Sequence, residues 1–187
     1  MGYDATDDAK LLLAFTRGDE DAFEALYERL YPSVLNVAYR MLGDRDAAED
    51  VAQEVLLKLY TSPRSYKPTA RLSTWLYRVT CNACIDEIRK RRKSSFDLDD
   101  ISISFHELDP QKSAESSELA DAVRQAIASL PENQRAAIVL QRYEGLSYQE
   151  IAEVLKTSIP AVESLLSRAK ESLKSRLSLY VYQNPDG

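Results

Sequence analysis

The sequence predicts an all-α protein of two small helical domains joined by a flexible acidic linker, with a helix-turn-helix in the second domain. Apolar residues recur at helical spacing along most of the 187 residues, whereas alternating strand patterns are scarce. Residues 96–117 are rich in Ser, Asp and Glu and offer few apolar side chains to bury, which is typical of a linker. The predicted domains are therefore residues 1–95 and 118–187.

Breaking and capping residues divide the start of the first predicted domain into helices. A short first helix ends at Gly18, and either Asp19 or Asp21 is expected to cap the second helix. Pro32 either kinks this second helix or starts a new one. Gly43 then ends it, as a glycine at a helix C-terminus commonly does.

Two more helices complete the first predicted domain. Asp44 or Asp46 is expected to open the third helix. Residues 62–69 hold two prolines and are predicted to form a loop. A long fourth helix is expected from Ser73 into the basic run at residues 89–93, where cations also suit the C-terminal end of a helix dipole.

The second predicted domain opens with two helices. The first is expected at about residues 117–129, and the second has Pro131 in its first turn and ends at Gly145. The buried face of the second helix is expected to carry Ala137, Ile138, Leu140 and Tyr143.

The last two helices fit a helix-turn-helix. Ser147 and Glu150 match a capping box at the start of a short helix. Residues 156–158 form the turn, and the second helix begins at Ile159 or Pro160. The expected exposed face of this second helix carries Ala161, Glu163, Ser164, Ser167, Arg168 and Lys170. Such a face can read base edges in a DNA groove, although an ordinary helical hairpin has the same apolar pattern.

The net charge of −6 hides blocks of opposite sign. Residues 61–95 hold nine basic and two acidic residues, whereas residues 1–60 and 96–133 each carry a net charge of −7. A free-standing DNA-binding protein usually has a basic excess, because phosphate neutralisation supplies most of its affinity. The pattern therefore favours a chain that binds DNA weakly alone and needs a partner. A solvated basic face on an acidic helical protein is the alternative.

Aromatic residues lie within the basic block. Tyr66, Trp75 and Tyr77 alternate with cations, an arrangement suited to single-stranded nucleic acid, whose bases stack on aromatic rings. Asn82 offers both a donor and an acceptor to a base held out of the stack. Trp75 also suits a simpler role as an anchor in the core.

Few residues support catalysis, metal binding or membrane insertion. Cys81 and Cys84 form a C-x-x-C pair inside a helical pattern, and we expect one buried and one half-exposed thiol without a redox role. With one histidine and two cysteines, we expect no metal, no cofactor and no enzymatic activity. The sequence has neither a secretory signal nor a long apolar span, so we expect a cytoplasmic protein.

Three motifs together resemble the sigma-70 family of transcription initiation factors. Residues 43–54, GDRDAAEDVAQE, are similar to the family's clamp-binding helix. STWLYRV at residues 73–79, followed by Asn82, resembles its promoter-melting segment. LPENQR at residues 130–135 and EGLSYQEIA at residues 144–152 resemble its C-terminal helix-turn-helix domain. The motif order and the two-domain length are those of the small extracytoplasmic-function (ECF, group IV) factors.

The resemblance implies three binding surfaces. The residues implied to contact the β′ clamp of RNA polymerase are Asp50, Gln53 and Glu54. The loop at residues 65–72 and Asn82 are implied to capture a flipped base of the promoter's minus-ten element. The residues implied to bind minus-ten DNA are Tyr66, Lys67, Arg71, Trp75, Arg78, Asn82 and Arg89. Those implied to bind the minus-thirty-five element are Glu163, Ser164, Ser167, Arg168 and Lys170.

The resemblance also implies partners. They are core RNA polymerase, through its β′ clamp and β flap, promoter DNA, and an anti-sigma factor that holds the protein inactive. The acidic linker is implied to follow the path of nascent RNA. Glu163 stands where many members of the family carry a base, so the family's base preference does not transfer to this chain.

Two other classes of protein remain possible from the residues alone. An autonomous helix-turn-helix repressor or activator would need a dimer interface, and the sequence has no long heptad seam to supply one. A helical enzyme or adaptor would need a convergent nucleophile or metal set, which the sequence lacks.

Overall fold

The protein is helical throughout the part of the chain that the computed structural model describes, residues 5–63, 71–96 and 114–183. Strands are absent from these ranges, which confirms the predicted all-α class. The helices are α1 (Ala5–Thr16), α2 (Glu20–Leu42), α3 (Arg45–Thr61), α4 (Leu72–Phe96), α5 (Ala114–Ala128), α6 (Glu132–Arg142), α7 (Tyr148–Leu155) and α8 (Ile159–Gln183). We call α1–α4 the first unit and α5–α8 the second unit.

Local capping chemistry sets the ends of α2 and the start of α3. The Asp19 carboxylate accepts a hydrogen bond from the Ala22 amide at 3.2 Å, and α2 continues through Pro32 without a break. Gly43 adopts the left-handed conformation (φ 70°) that a side chain disfavours, and it ends α2. Asp44 follows at once as the N-cap of α3, so two caps turn the chain within two residues.

The first unit is built around α2. Helices α1, α3 and α4 all pack against it, and α3 also packs on α4. The Arg29 guanidinium on α2 pairs with the buried Asp8 carboxylate at 3.2 Å, which fixes α1. Fully buried apolar side chains fill the centre: Leu26, Leu30, Val34, Val37, Met41, Leu56, Leu59, Leu72 and Leu76. Burial of one such side chain contributes about 1.5–3 kcal/mol.

The second unit contains the predicted helix-turn-helix. Ser147 and Glu150 form the capping box at the start of α7, and Lys156 ends this helix in the left-handed conformation (φ 51°). Helix α8 begins at Ile159, as expected, and packs on α5, α6 and α7. Val162, Leu166 and Ala169 are its buried anchors.

Several predicted positions in both units need correction. Helix α6 begins at Glu132 with Pro131 as its N-cap and ends at Arg142, so Pro131 is not in its first turn and Gly145 does not end it. Tyr143 is not part of the buried face of α6, because its ring is 38% exposed beneath the Arg40 guanidinium, which lies 3.7 Å from the ring centroid. Helix α5 starts three residues before the predicted boundary, at Ala114. Helix α4 begins at Leu72 and extends beyond the basic run to Phe96. The predicted linker at 96–117 falls mostly on residues 97–113, which lie outside the described residues.

The two units pack against each other. Helices α5 and α6 contact α2, and α6 and α7 contact α4. Buried side chains from both units join a single apolar cluster. This arrangement places α7 and the start of α6 beside the basic helix α4.

Candidate nucleic-acid and polymerase interfaces

Helix α3 presents an exposed polar face to solvent. Asp50, Gln53 and Glu54 are all exposed on it, while the opposite side is buried. Leu57 continues the same face at helical spacing, and 61% of its surface is exposed. The predicted contact residues do not include Leu57, although its spacing from Gln53 and Glu54 was sufficient to find it.

A three-residue ion network fixes the start of α3 against α4. Asp44 accepts from the Ala47 amide at 3.0 Å and from Arg91 Nη1 at 3.1 Å. Arg91 Nε also donates to Glu87 at 2.9 Å. The Ala47 amide, with Arg91 adding to it, lowers the pKa of the Asp44 carboxyl below its ordinary value. Part of the basic run therefore stabilises the fold of the first unit.

The predicted minus-ten residues that the structure describes follow one side of α4. Arg71, immediately before the helix, Asn82 and Arg89 are exposed, whereas Trp75 and Arg78 are partly buried. Trp75 packs against the apolar cluster, as expected of a core anchor, and part of its surface remains exposed. Tyr66 and Lys67 lie outside the described residues.

Carboxylates of the second unit contact both ends of this face. Arg71 Nη1 lies 3.5 Å from Glu150 Oε1 near its start. At the far end, Arg89 Nε donates to Glu132 Oε1 at 3.1 Å, and Arg92 Nη1 lies 3.7 Å from Glu132 Oε2. The sequence did not predict these pairs because their partners are far apart in the chain.

The surroundings of both glutamates favour their charged form. The Glu132 backbone amide lowers the pKa of its own carboxyl, and Arg89 lowers it further. For Glu150, the Ser147 amide and hydroxyl lower the pKa, with a smaller contribution from Arg71. Both carboxylates are therefore ionised at neutral pH.

Less exposed contacts also join the units. Arg135 on α6 is buried and donates to the Met41 carbonyl oxygen at the end of α2 at 2.6 Å. It also donates to the carbonyl oxygens of Ala128 and Leu130 in its own unit. Burial lowers the pKa of this guanidinium, but an arginine remains charged at neutral pH.

A hydroxyl–carboxylate contact lies near the centre of the interface. The Tyr77 hydroxyl on α4 donates to Glu144 Oε2 at 2.8 Å. The Ser33 hydroxyl on α2 lies 3.2 Å from the Tyr77 oxygen and 3.4 Å from the same Glu144 oxygen. Because Tyr77 and Ser33 are buried, this contact fixes how the two units face each other.

The outer face of α8 is open. Glu163, Ser167, Arg168 and Lys170 are exposed, and Ser164 is partly exposed. The helix starts with the Ser158 hydroxyl accepting from the Ala161 amide at 3.3 Å. The predicted reading face thus lies on the side away from the buried anchors.

The C-x-x-C pair in the sequence does not form a reactive thiol site. Cys81 and Cys84 are both buried, which corrects the expected half-exposed thiol. Burial raises the pKa of Cys81 to about 12 and that of Cys84 well above its ordinary value, so neither is a reactive thiolate at neutral pH. Within the described ranges, no His, Cys, Asp and Glu cluster could hold a metal ion. None of the helices described is long and apolar enough to cross a membrane.

A helical unit with a basic helix, followed by a helix-turn-helix unit, defines a two-part nucleic-acid-binding architecture. Residues 26–94 match the family model for sigma-70 region 2, and residues 120–173 match the model for sigma-70 region 4. The chain is 33% identical over 172 residues to the ECF RNA polymerase sigma factor SigW of Bacillus subtilis, covering 86% of this chain and 91% of that protein. It is 32% identical over 180 residues to the ECF RNA polymerase sigma-E factor of Escherichia coli, covering 91% and 94%. The chain therefore belongs to the ECF sigma factors of the sigma-70 family.

Solved structures resemble the whole described arrangement. The sigma factor RpoE of Bartonella quintana, crystallised in complex with the anti-sigma factor NepR, is 25% identical with a TM-score of 0.68, covering 83% of this chain and 96% of that one. CnrH, in complex with the cytosolic domain of CnrY, is 24% identical with a TM-score of 0.69, covering 94% and 97%, and this likeness shows the fold. As a sigma factor, the protein is a transcription initiation factor that binds core RNA polymerase and promoter DNA.

Proposed function

We propose that three helices divide the work of this sigma factor, with α3 binding core RNA polymerase, α4 reading the minus-ten element and α8 reading the minus-thirty-five element. The observation that carries the proposal is that each helix has an exposed polar face inside a region matched by a sigma-70 family model. In this division, residues 1–95 bind polymerase and minus-ten DNA, and residues 118–187 bind minus-thirty-five DNA. Residues 96–117 connect them.

The polymerase surface on α3 is acidic with an apolar extension. Asp50 and Glu54 attract a basic surface, and Leu57 can be buried against it. Charge complementarity of this kind steers encounter, and a buried apolar anchor slows dissociation. We assign the β′ clamp to this surface. The β flap is proposed as the partner of the second unit.

The two DNA surfaces suit different substrates. On α4, the open part of Trp75 can stack on an unpaired base, the Asn82 amide can bond its edge, and arginines can hold the phosphates. On α8, Glu163 can accept from cytosine and Arg168 can bind phosphate or guanine. These side chains therefore suit α4 to binding melted, single-stranded DNA and α8 to binding duplex DNA.

We also propose that the protein has no catalytic activity of its own, acts in the cytoplasm and is controlled by an anti-sigma factor. The proposed control is supported by a relative of similar fold whose structure contains an anti-sigma factor. The non-catalytic role is supported by the matches to the sigma-70 region 2 and region 4 family models.

Capture by core polymerase tests the assignment of α3. Asp50→Arg should lower capture of the folded protein about tenfold or more, because it reverses a charge on an exposed contact face. Glu28→Arg makes the same charge change on an exposed position of α2 and should leave capture unchanged. Promoter-directed transcription in vitro, with and without the wild-type chain, is the accompanying measurement. Equal capture of the two variants would remove α3 as the main contact.

A further inference from the structure

We infer that Ile159, the first residue of α8, is a further specificity-determining residue of the minus-thirty-five surface, and that its side chain contacts the C5-methyl group of a thymine. The inference rests on the proposed role of α8 in reading duplex DNA. The minus-thirty-five residues implied by the sequence are all polar and begin at Glu163. An apolar contact at the start of the helix therefore adds a different kind of base reading to this surface.

Ile159 keeps much of its aliphatic surface outside the core of the second unit. It is 42% exposed, whereas the buried anchors of the same helix, Val162, Leu166 and Ala169, are at most 1% exposed. A single exposed apolar residue is common on protein surfaces, so exposure alone assigns no role. The position of Ile159 assigns one, because the first residues of a recognition helix are those that approach the base edges.

Hydrogen bonds at the start of α8 fix the backbone that carries Ile159. The Ser158 hydroxyl accepts from the Ala161 amide at 3.3 Å, and the Ser158 carbonyl oxygen accepts from the Val162 amide at 3.0 Å. Isoleucine is branched at Cβ, so a helix restricts its side chain to essentially one χ1 rotamer. A contact between Ile159 and DNA therefore has a defined direction and costs little side-chain ordering.

Thymine is the base whose major-groove edge suits an aliphatic side chain. Its C5-methyl group is apolar, whereas the other three bases present only hydrogen-bond donors and acceptors on that edge. Contact removes the methyl group and part of Ile159 from water together. Burial of one methyl-sized group changes an affinity about fourfold, so we expect discrimination of about that size.

The spacing between Ile159 and Glu163 predicts where this thymine lies. The two residues are four apart on α8 and both are exposed, so they share one flank of the helix. Their Cβ atoms are separated by about 5–6 Å in a helix, and successive base pairs of DNA by about 3.4 Å. The thymine should therefore lie about one or two base pairs from the position that Glu163 reads.

Replacement of single thymines by deoxyuridine tests the contact at the methyl group itself. The preferred minus-thirty-five sequence is first obtained from a promoter library transcribed by polymerase loaded with the wild-type chain. Each of its thymines is then replaced in turn by deoxyuridine, which lacks only the methyl group. Binding of each duplex is measured at fixed salt with polymerase loaded with wild type, Ile159→Ala, Ile159→Val or Leu119→Ala. Leu119 is 52% exposed on α5, so Leu119→Ala is a matched apolar truncation outside α8.

Wild type should bind about fourfold more weakly when the methyl group is absent from one particular thymine. Ile159→Ala should bind the thymine and deoxyuridine duplexes equally at that position, whereas Leu119→Ala should retain the full difference. Ile159→Val keeps a branched apolar side chain and should retain most of it. Circular dichroism should show the same helix content in all four proteins.

Three results would overturn the inference. One is equal binding of thymine and deoxyuridine duplexes by wild type at every position. Another is an undiminished methyl effect in Ile159→Ala, and the third is a methyl effect more than two base pairs from the position at which Glu163→Ala changes the preference. A library that shows no minus-thirty-five preference for wild type would contradict the proposed role of α8 itself, and the inference with it, so the two failures are distinguishable.

Discussion

Helices α4 and α8 are both 25 residues long and both are proposed to bind promoter DNA, yet their surroundings differ. Helix α4 packs on α2 and α3 and is also contacted by α6 and α7 of the other unit. Helix α8 packs on α5, α6 and α7 and keeps its outer face exposed. With the two units packed together, the proposed minus-thirty-five surface is exposed, whereas two arginines of the proposed minus-ten surface pair with glutamates of the other unit.

The charge of the two helices explains this asymmetry. Helix α4 holds six basic and two acidic residues, a net charge of +4, whereas α8 holds four and two, a net charge of +2. A concentrated basic surface binds any nucleic acid, because its affinity is electrostatic and independent of sequence. The helix with the greater tendency toward unspecific binding is the one whose arginines pair with carboxylates of the other unit. Helix α8 has the smaller net positive charge of the two.

The largest expected effect concerns how α8 is anchored. Leu166 is 1% exposed, whereas Leu165 is only partly buried. Leu166→Ala should destabilise the second unit by about 2–5 kcal/mol, because it leaves a cavity in a packed core. Leu165→Ala should lower the stability of the second unit by clearly less than Leu166→Ala. Chemical denaturation followed by circular dichroism measures both, and a greater loss at Leu165 would show that the inward side of α8 is rotated.

A smaller effect is expected on the outer face of α8. Glu163→Ala should change the preference at one base position by about 1–3 kcal/mol, because a direct base contact carries that much discrimination. Arg168→Ala should weaken binding evenly across sequences and reduce its salt dependence, since phosphate contacts carry no sequence information. A library of minus-thirty-five sequences, transcribed by the loaded polymerase, separates the two outcomes. An unchanged profile for Glu163→Ala would exclude it as a base reader.

Helix ends could be predicted from the sequence because capping is local chemistry. Asp19, Gly43 and Asp44 act within three or four residues of their own position, and each cap forms where the sequence allowed it. The Ser147–Glu150 capping box is equally local. The predicted helix-turn-helix followed from this box and from the apolar spacing of α8.

Contacts between the units could not be predicted in the same way. Helical spacing says which side of a helix is buried but does not identify what covers it. Arg135 lay in a recognised motif, yet nothing local indicates that it reaches the Met41 carbonyl oxygen. Tyr143 looked apolar enough to be buried, but it instead stacks beneath Arg40 of the first unit. These outcomes depend on how two units dock.

For the proposed binding surfaces too, features set by neighbouring residues could be predicted, whereas contacts between residues far apart in the chain could not. The exposure of Asp50, Gln53 and Glu54 on one side of α3 follows from their spacing alone. For α4, spacing placed the predicted residues on one side of the helix but did not indicate that Arg71 and Arg89 are paired. The sequence could therefore predict which side chains share one side of a helix. It could not predict which of them form ion pairs with the other unit.

The smallest expected effect is a pH dependence of the second unit. The pKa values of Glu132 and Glu150 are lowered in the folded protein, so their contribution is fully present above the ordinary glutamate value of 4.5 and is lost as the pH falls below it. The free energy of unfolding of the wild type should fall between pH 6 and pH 4 by under about 1 kcal/mol more than that of Glu132→Gln with Glu150→Gln, because these groups are near the surface. Glu153→Gln with Glu171→Gln should follow the wild type. Denaturation curves at each pH measure the difference. If all three proteins lose stability in parallel, the two glutamates do not contribute through their charge, and the packing of the second unit on α4 must then rest on its buried contacts.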